Sequence, residues 1–221
     1  VAEGVDASWV SFAGNVMIDS LLSSKPLAVP PAQTLGEHGI DAKLIADGRY
    51  AVVTLHRPSN VDDPEQLRRL TAMLADAAKR LPLLFPIHPR TRANIERFGF
   101  GALLENPKIA LLPPLGYLEM LGLMSNATVM ITDSGGIQEE TTALSVPCLT
   151  LRENTERPIT AEQGTNTVVG SDQALFVRCL DDILATGGKR GCVPEYWDGA
   201  AAPRIVADLH DWLQSRGSAD A

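Results

Sequence analysis

Long apolar runs are missing from this chain of 221 residues. None approaches the roughly 20 residues that cross a bilayer, so no membrane partner is expected. No secretory leader is visible either. Cysteine is scarce. Cys148, Cys179 and Cys192 are odd in number and widely spaced, which argues against a disulfide framework and reads as free thiols in a reducing cytoplasm. Without paired cysteines or an H-E-x-x-H, no zinc site is expected. Cationic charge is also short: 19 Lys and Arg against 27 Asp and Glu leave a net charge of −8. With no basic stripe to offset it, a nucleic-acid partner is not expected. No G-x-G-x-x-G follows a strand, so a nicotinamide or flavin cofactor lacks its fingerprint, and no cofactor is assigned. Gly187-Gly188-Lys189 lacks the earlier glycine of a Walker loop and follows a helix. No G-x-S-x-G elbow is present.

What is present is alternation. Hydrophobic residues make up 45% of the chain, enough for one good core or two small ones. Near-continuous apolar runs at 50–55, 83–87, 109–112, 128–132, 146–150 and 167–169 read as strands buried on both faces. Between them lie helical patterns at 64–81, 91–98, 117–125, after Ser134 and at 172–184, and a last one spans 200–214. Asp62 or Asp63 would cap the helix beginning at Pro64. Residues 8–23 read as a strand entering a short helix, 23–34 as a Pro- and Ser-rich loop, and 35–46 as room for a short helix. Helices alternating with buried strands define an α/β fold, a doubly wound parallel sheet.

Ligands of such a sheet sit beyond the carboxyl ends of the strands, and polar groups gather there. Ser134-Gly135-Gly136 follows the strand at 128–132 and opens a helix. Ser134 suits the N-cap, and the glycines allow a ligand close to the backbone. Free N–H groups and the positive end of the helix dipole favour a phosphate. Glu140, one turn after Gly136, could accept two hydrogen bonds from a ribose diol. Together they suggest a nucleotide diphosphate. His56 and His88 end two other strands beside Arg57 and Arg90; each alone reads equally well as a strand-end histidine bonded to backbone. Arg157 serves either as an ion-pair partner of Glu153 or Glu156 or as a group facing a diphosphate. Arg90 and Arg92 read as solvated, His38 and His210 as structural or exposed, and Asp133 as an acceptor for N–H groups in its turn.

Four motifs in order resemble a known family: Thr54-Leu55-His56-Arg57-Pro58-Ser59-Asn60-Val61-Asp62, Pro86-Ile87-His88-Pro89-Arg90-Thr91, Thr132-Asp133-Ser134-Gly135-Gly136-Ile137-Gln138-Glu139-Glu140 and Arg152-Glu153-Asn154-Thr155-Glu156-Arg157-Pro158. They are similar to the non-hydrolysing UDP-N-acetylglucosamine 2-epimerases. The resemblance implies one Rossmann-like half of a glycosyltransferase-B type fold, the second half. Residues 1–30 would cross between halves, 31–200 form the nucleotide-binding domain, and 201–221 give a C-terminal helix and tail. It implies UDP-N-acetylglucosamine or UDP as ligand. Ser134, Gly135 and Gly136 would hold the diphosphate, Glu140 the ribose, Leu115 and Met120 the uridine, and Arg157 the nucleotide. Arg57 and His88 fall in matching motifs on the substrate side, and His56 matches a histidine of the catalytic cleft. The implied reaction is elimination of UDP and its re-addition with C2 inverted. The family draws its proton-transferring carboxylates from its first half, so this chain alone is expected to bind UDP weakly and not to epimerise. The opening at Val1 reads as a segment of a longer protein, which the family makes a homodimer. A glycosyltransferase domain and a non-catalytic UDP-sugar binding module are the alternatives. Pro58 and Ser59 stand where many members have Arg and Glu of an allosteric substrate site. Gly116 replaces a more usual polar residue beside the base.

Overall fold

The computed structural model describes residues 3–217. These divide into two compact units, one from residues 27–193 and one from residues 1–26 and 194–221 as far as described. The larger unit is built on six strands: β1 (Ala51–Thr54), β2 (Leu83–Pro86), β3 (Ile109–Leu112), β4 (Val129–Thr132), β5 (Cys148–Thr150) and β6 (Asn166–Val168). Every pairing is parallel, in the order β3-β2-β1-β4-β5-β6. This is the doubly wound order, and its direction reverses between β1 and β4. Their register runs from Ala51 opposite Val129 to Thr54 opposite Thr132. The loops leaving both strands therefore start level with each other, over the crevice where such sheets bind ligands.

The helices, in chain order, are α1 (Val16–Ser24), α2 (Pro31–Glu37), α3 (Pro58–Val61), α4 (Pro64–Ala77), α5 (Pro89–Arg97), α6 (Tyr117–Ser125), α7 (Gly135–Leu144), α8 (Pro158–Glu162), α9 (Gln173–Thr186) and α10 (Ala201–Gly217). Asp63 caps α4, accepting from the Gln66 N–H at 2.7 Å, and Pro64 takes the first helical position. Leu67, Leu70, Met73, Leu74 and Ala77 turn its apolar stripe onto Val53, Leu55 and Phe85 of the core. Pro86 is tolerated inside β2 because pairing with β1 is registered only at Leu83 and Leu84. Further along, β2 follows β3 instead, and the Ile87 N–H reaches the Leu112 carbonyl.

Two expectations fail here. Residues 10–13 form no strand and pair in no ladder; a 3-10 turn at Ala7–Trp9 precedes them. The helix expected at 35–46 starts earlier, at Pro31, and stops at Glu37; Ala42–Ile45 is a 3-10 turn. A proline pair reads as loop, yet Pro31 at the first helical position sacrifices no helical hydrogen bond. In the smaller unit, Asp19 of α1 accepts the Ala201 and Ala202 N–H groups at 3.1 and 2.7 Å, holding the start of α10. The large apolar side chains Ile205, Val206, Leu209, Trp212 and Leu213 of α10 are exposed. No helix among the described residues is long and apolar enough to cross a membrane.

Candidate functional site

The crevice between β1 and β4 is built around one carboxylate. Asp133, at the end of β4, is fully buried. It does not serve its own turn, as expected, but reaches across to the turn after β1. Its oxygens accept the backbone N–H of His56 at 3.1 and 3.2 Å and of Arg57 at 2.9 Å. They also accept from Asn60 Nδ2 at 3.2 Å, which donates in turn to the Leu151 carbonyl. Three strand ends are thereby tied to one side chain. Burial alone would raise this carboxyl's pKa; the His56 ring, the Arg57 N–H and the charge of His56 outweigh it and hold it below the ordinary range. Its contribution to stability is therefore present above about pH 4 and is lost as pH falls through the lowered value.

The same carboxylate fixes a histidine. His56 Nδ1 lies 3.0 Å from Asp133 Oδ1. A carboxylate only accepts, so Nδ1 carries a proton, and in the neutral ring Nε2 is left as an acceptor. His88 is set the other way. Its Nδ1 accepts the Arg90 N–H at 3.2 Å, capping α5 and leaving Nε2 as the donor in the neutral ring. The two rings lie 6.2 Å apart. Both line a cleft with Thr54, Leu115, Met120, Ser134 and Ile137. Its wall is largely apolar, suited to a flat heterocycle, with polar groups at one end.

That end is the start of α7. Ser134 sits at its N-cap position, but its side chain makes no capping bond; its own N–H donates to Thr132 Oγ1 at 3.0 Å. The hydroxyl expected to close the helix end does not do so. The N–H groups of the first turn retain no intrahelical partner. A Cβ on Gly135 would stand 3.9 Å from both Arg57 Nη2 and Arg157 Cγ. Two arginines therefore flank the helix N-terminus, where charge and dipole act together on an anion. Arg157 pairs with Glu139 at 3.2 Å, not with Glu153 or Glu156. Glu156 instead lies 3.0 Å from Arg152 and 3.7 Å from Arg57. Arg90, read as solvated, binds Asp62.

Glu140 lies further along α7, buried beneath Tyr117, whose hydroxyl donates to its Oε1 at 3.0 Å. Sequence reasoning missed Tyr117, because a pair 23 residues apart on two helices leaves no local pattern. Burial raises the Glu140 carboxyl's pKa, the Tyr117 bond lowers it and the charge of Glu139 raises it again, for a net rise. Burial and the Glu140 charge push the Tyr117 phenol up to about 12. A raised acid favours the fold only while protonated. Its contribution is full below about pH 4.5 and is lost as pH rises through the raised value. Glu140→Gln is accordingly expected to stabilise the chain at pH 7 by about 0.5–2 kcal/mol, with no gain near pH 4. Urea denaturation at both pH values measures this; an equal effect at the two would refute it.

The three cysteines are free. Among the described residues no group of three or more His, Cys, Asp or Glu could hold a metal ion.

A doubly wound parallel sheet, with Arg57 and Arg157 beside a helix N-terminus at its switch point, defines the class: a Rossmann-like α/β domain. The chain belongs to the UDP-N-acetylglucosamine 2-epimerase family, whose model matches residues 1–210. It is 35% identical over 94% of its length to the UDP-N-acetylglucosamine 2-epimerase of Methanocaldococcus jannaschii, covering 56% of that protein. The solved structure of the enzyme from that organism superposes with a TM-score of 0.78 at 32% identity, over 93% of this chain and 58% of that one. A second structure of it, in complex with UDP-GlcNAc and UDP, gives 0.72 at 32% identity, over 93% and 57%. The fold is thus that of one half of these enzymes, and the chain spans about half the length of the curated relatives it matches.

Proposed function

We propose that this chain supplies the UDP-binding half of a UDP-N-acetylglucosamine 2-epimerase, an isomerase interconverting UDP-N-acetylglucosamine and UDP-N-acetylmannosamine. The observation that carries the reading is the open N-terminus of α7, flanked by Arg57 and Arg157 at one end of an apolar cleft. In a chain of net charge −8, two arginines and a helix dipole converge at this end of the cleft, each arginine beside a glutamate that a phosphate would replace.

In this reading the first-turn N–H groups at Ser134, Gly135 and Gly136, with Arg57 and Arg157, receive the diphosphate. Leu115 and Met120 pack on the uracil, Glu140 takes a ribose hydroxyl, and His88 donates from the facing wall. In the reaction, the proton leaves C2 of the sugar as the C1–O bond to UDP breaks, giving a glycal. UDP then re-adds to C1, and a proton returns to C2 on the other face. Charge grows on the departing diphosphate, and fixed N–H donors and arginines stabilise it without reorganising. In the neutral ring His56 Nε2, its orientation held by Asp133, can take up the proton passed on from the sugar side as UDP leaves and hand it back as UDP re-adds. The acid and base acting at C2 come from carboxylates outside this chain, as the family resemblance implies. Alone, the chain binds UDP and does not epimerise. We assign the complete protein to the cytoplasm as a homodimer without a nucleic-acid partner.

Calorimetric titration tests the nucleotide site. The chain is expected to bind UDP more tightly than uridine. Arg157→Ala should weaken UDP by roughly tenfold, the value of one charge-assisted contact, and leave uridine unchanged. Equal affinity for UDP and uridine, or no binding of either, would overturn the proposal.

A further inference from the structure

Gln138 is a wholly buried polar side chain one helical turn below Ser134. Its Nε2 donates to the Ser134 carbonyl at 3.1 Å. Its Oε1 accepts from Thr155 Oγ1 at 2.6 Å and from Asn166 Nδ2 at 3.0 Å. Asn166 is itself oriented by Thr150, whose hydroxyl donates to its Oδ1 at 2.6 Å. Both amides are thus fixed by their partners, and the Gln138 oxygen faces the loop after β5. Thr155 is the half-buried residue of an otherwise exposed stretch, Glu153 to Arg157. Having donated its proton to Gln138, its hydroxyl accepts the Arg157 N–H at 2.9 Å. The Arg157 carbonyl accepts from the Thr160 hydroxyl at 2.7 Å. The backbone of Arg157 is held on both sides, and one of those holds runs through Gln138 to the anion-binding turn.

We propose that Gln138, acting through Thr155, is a positioning residue for Arg157, locking this cation to the first turn of α7 so that a nucleoside diphosphate meets both as one unit. The inference rests on the nucleotide reading above. An exposed arginine loses conformational freedom on being fixed; with its backbone already anchored, only side-chain freedom remains to be lost when the phosphate arrives.

Thr155→Val removes the hydroxyl at nearly constant volume and Thr155→Ser keeps it. Titration with UDP and with uridine separates positioning from general disruption. Thr155→Val is expected to weaken UDP by about fivefold, a typical loss for one hydrogen bond in the chain of contacts, and to leave uridine unchanged. Thr155→Ser should restore UDP affinity, and Thr155→Val combined with Arg157→Ala should be no weaker than Arg157→Ala alone. Thr155→Ala, which removes the hydroxyl without adding bulk, should match Thr155→Val. Parallel losses for UDP and uridine, full additivity with Arg157→Ala, or a Ser variant as weak as Val would overturn the inference while leaving the nucleotide site intact. A parent chain that binds UDP no better than uridine would overturn the nucleotide reading and the inference with it.

Discussion

Replacing His56 with Ala, in a catalytically competent polypeptide containing this sequence, is expected to cut epimerase turnover by about 10²–10⁴-fold, the range for a positioned acid or base. UDP affinity should change by about threefold or less, because the proposed anion site is built from α7 and the two arginines, not from His56. Asp133→Asn should approach the same loss by another route. All the groups around Asp133 that bond to it are donors: two backbone N–H groups, the Asn60 amide and the His56 ring. An amide must point its NH₂ at one of them. Backbone donors have no second form, whereas the imidazole can change tautomer, so the NH₂ turns to His56 and the proton moves to Nε2. The nitrogen in the cleft then becomes a donor, the wrong form to accept a proton. Nitrogen-15 spectra of the imidazole read the tautomer, and steady-state kinetics read the turnover. Turnover kept with a switched tautomer would remove His56 from proton transfer. Equal loss of turnover and UDP affinity in His56→Ala would move it from catalysis to binding.

The parallel sheet and the convergence of strand ends were legible because they rest on local signals. Buried strands are apolar runs, and the polar residues that interrupt them mark the rim. Helix α6 starts and stops where its pattern does because Gly116 and Asn126 bound it. The turn that opens α7 was legible for the same reason: a serine and two glycines between an apolar run and a helix. What the sequence hides depends on partners far along the chain. Asp133 serves the turn after β1, 76 residues earlier, because parallel pairing brings the ends of β1 and β4 level. Arg157 chooses Glu139 on α7 over Glu153 and Glu156 beside it in sequence. Glu140 keeps Tyr117 as its bond partner. None of these pairings has a period or spacing that a single sequence displays. The strand expected at 10–13 fails for a related reason: apolar side chains mark a strand only where a neighbouring strand takes up the backbone N–H and C=O groups.

Gly122 gives the largest expected loss of stability. In sequence it is a flaw in α6, since glycine inside a helix costs about 1 kcal/mol relative to alanine, so Gly122→Ala would be expected to stabilise. The structure reverses the sign. Gly122 is buried where α6 passes the segment before α2. A Cβ there would stand 2.8 Å from the Val29 carbonyl carbon and closer still to its oxygen. Both sides of the contact are backbone, so no rotamer can relieve it. Val29 is further pinned to α6 by its N–H, which donates to the Leu118 carbonyl at 3.0 Å. Admitting a methyl group means breaking that bond or moving the helix, and overpacking of this kind costs about 1–3 kcal/mol, occasionally more. After the helix-propensity gain is subtracted, Gly122→Ala is expected to destabilise the chain by about 1 kcal/mol, and by about 2 at the upper end of the overpacking cost. Because α6 carries Met120 and Tyr117, the same shift should weaken uridine as well as UDP, unlike the substitutions at Arg157 and Thr155. Denaturant unfolding and the two titrations check both parts. A variant of parental or higher stability would show that the close approach of α6 to Val29 does not hold in solution.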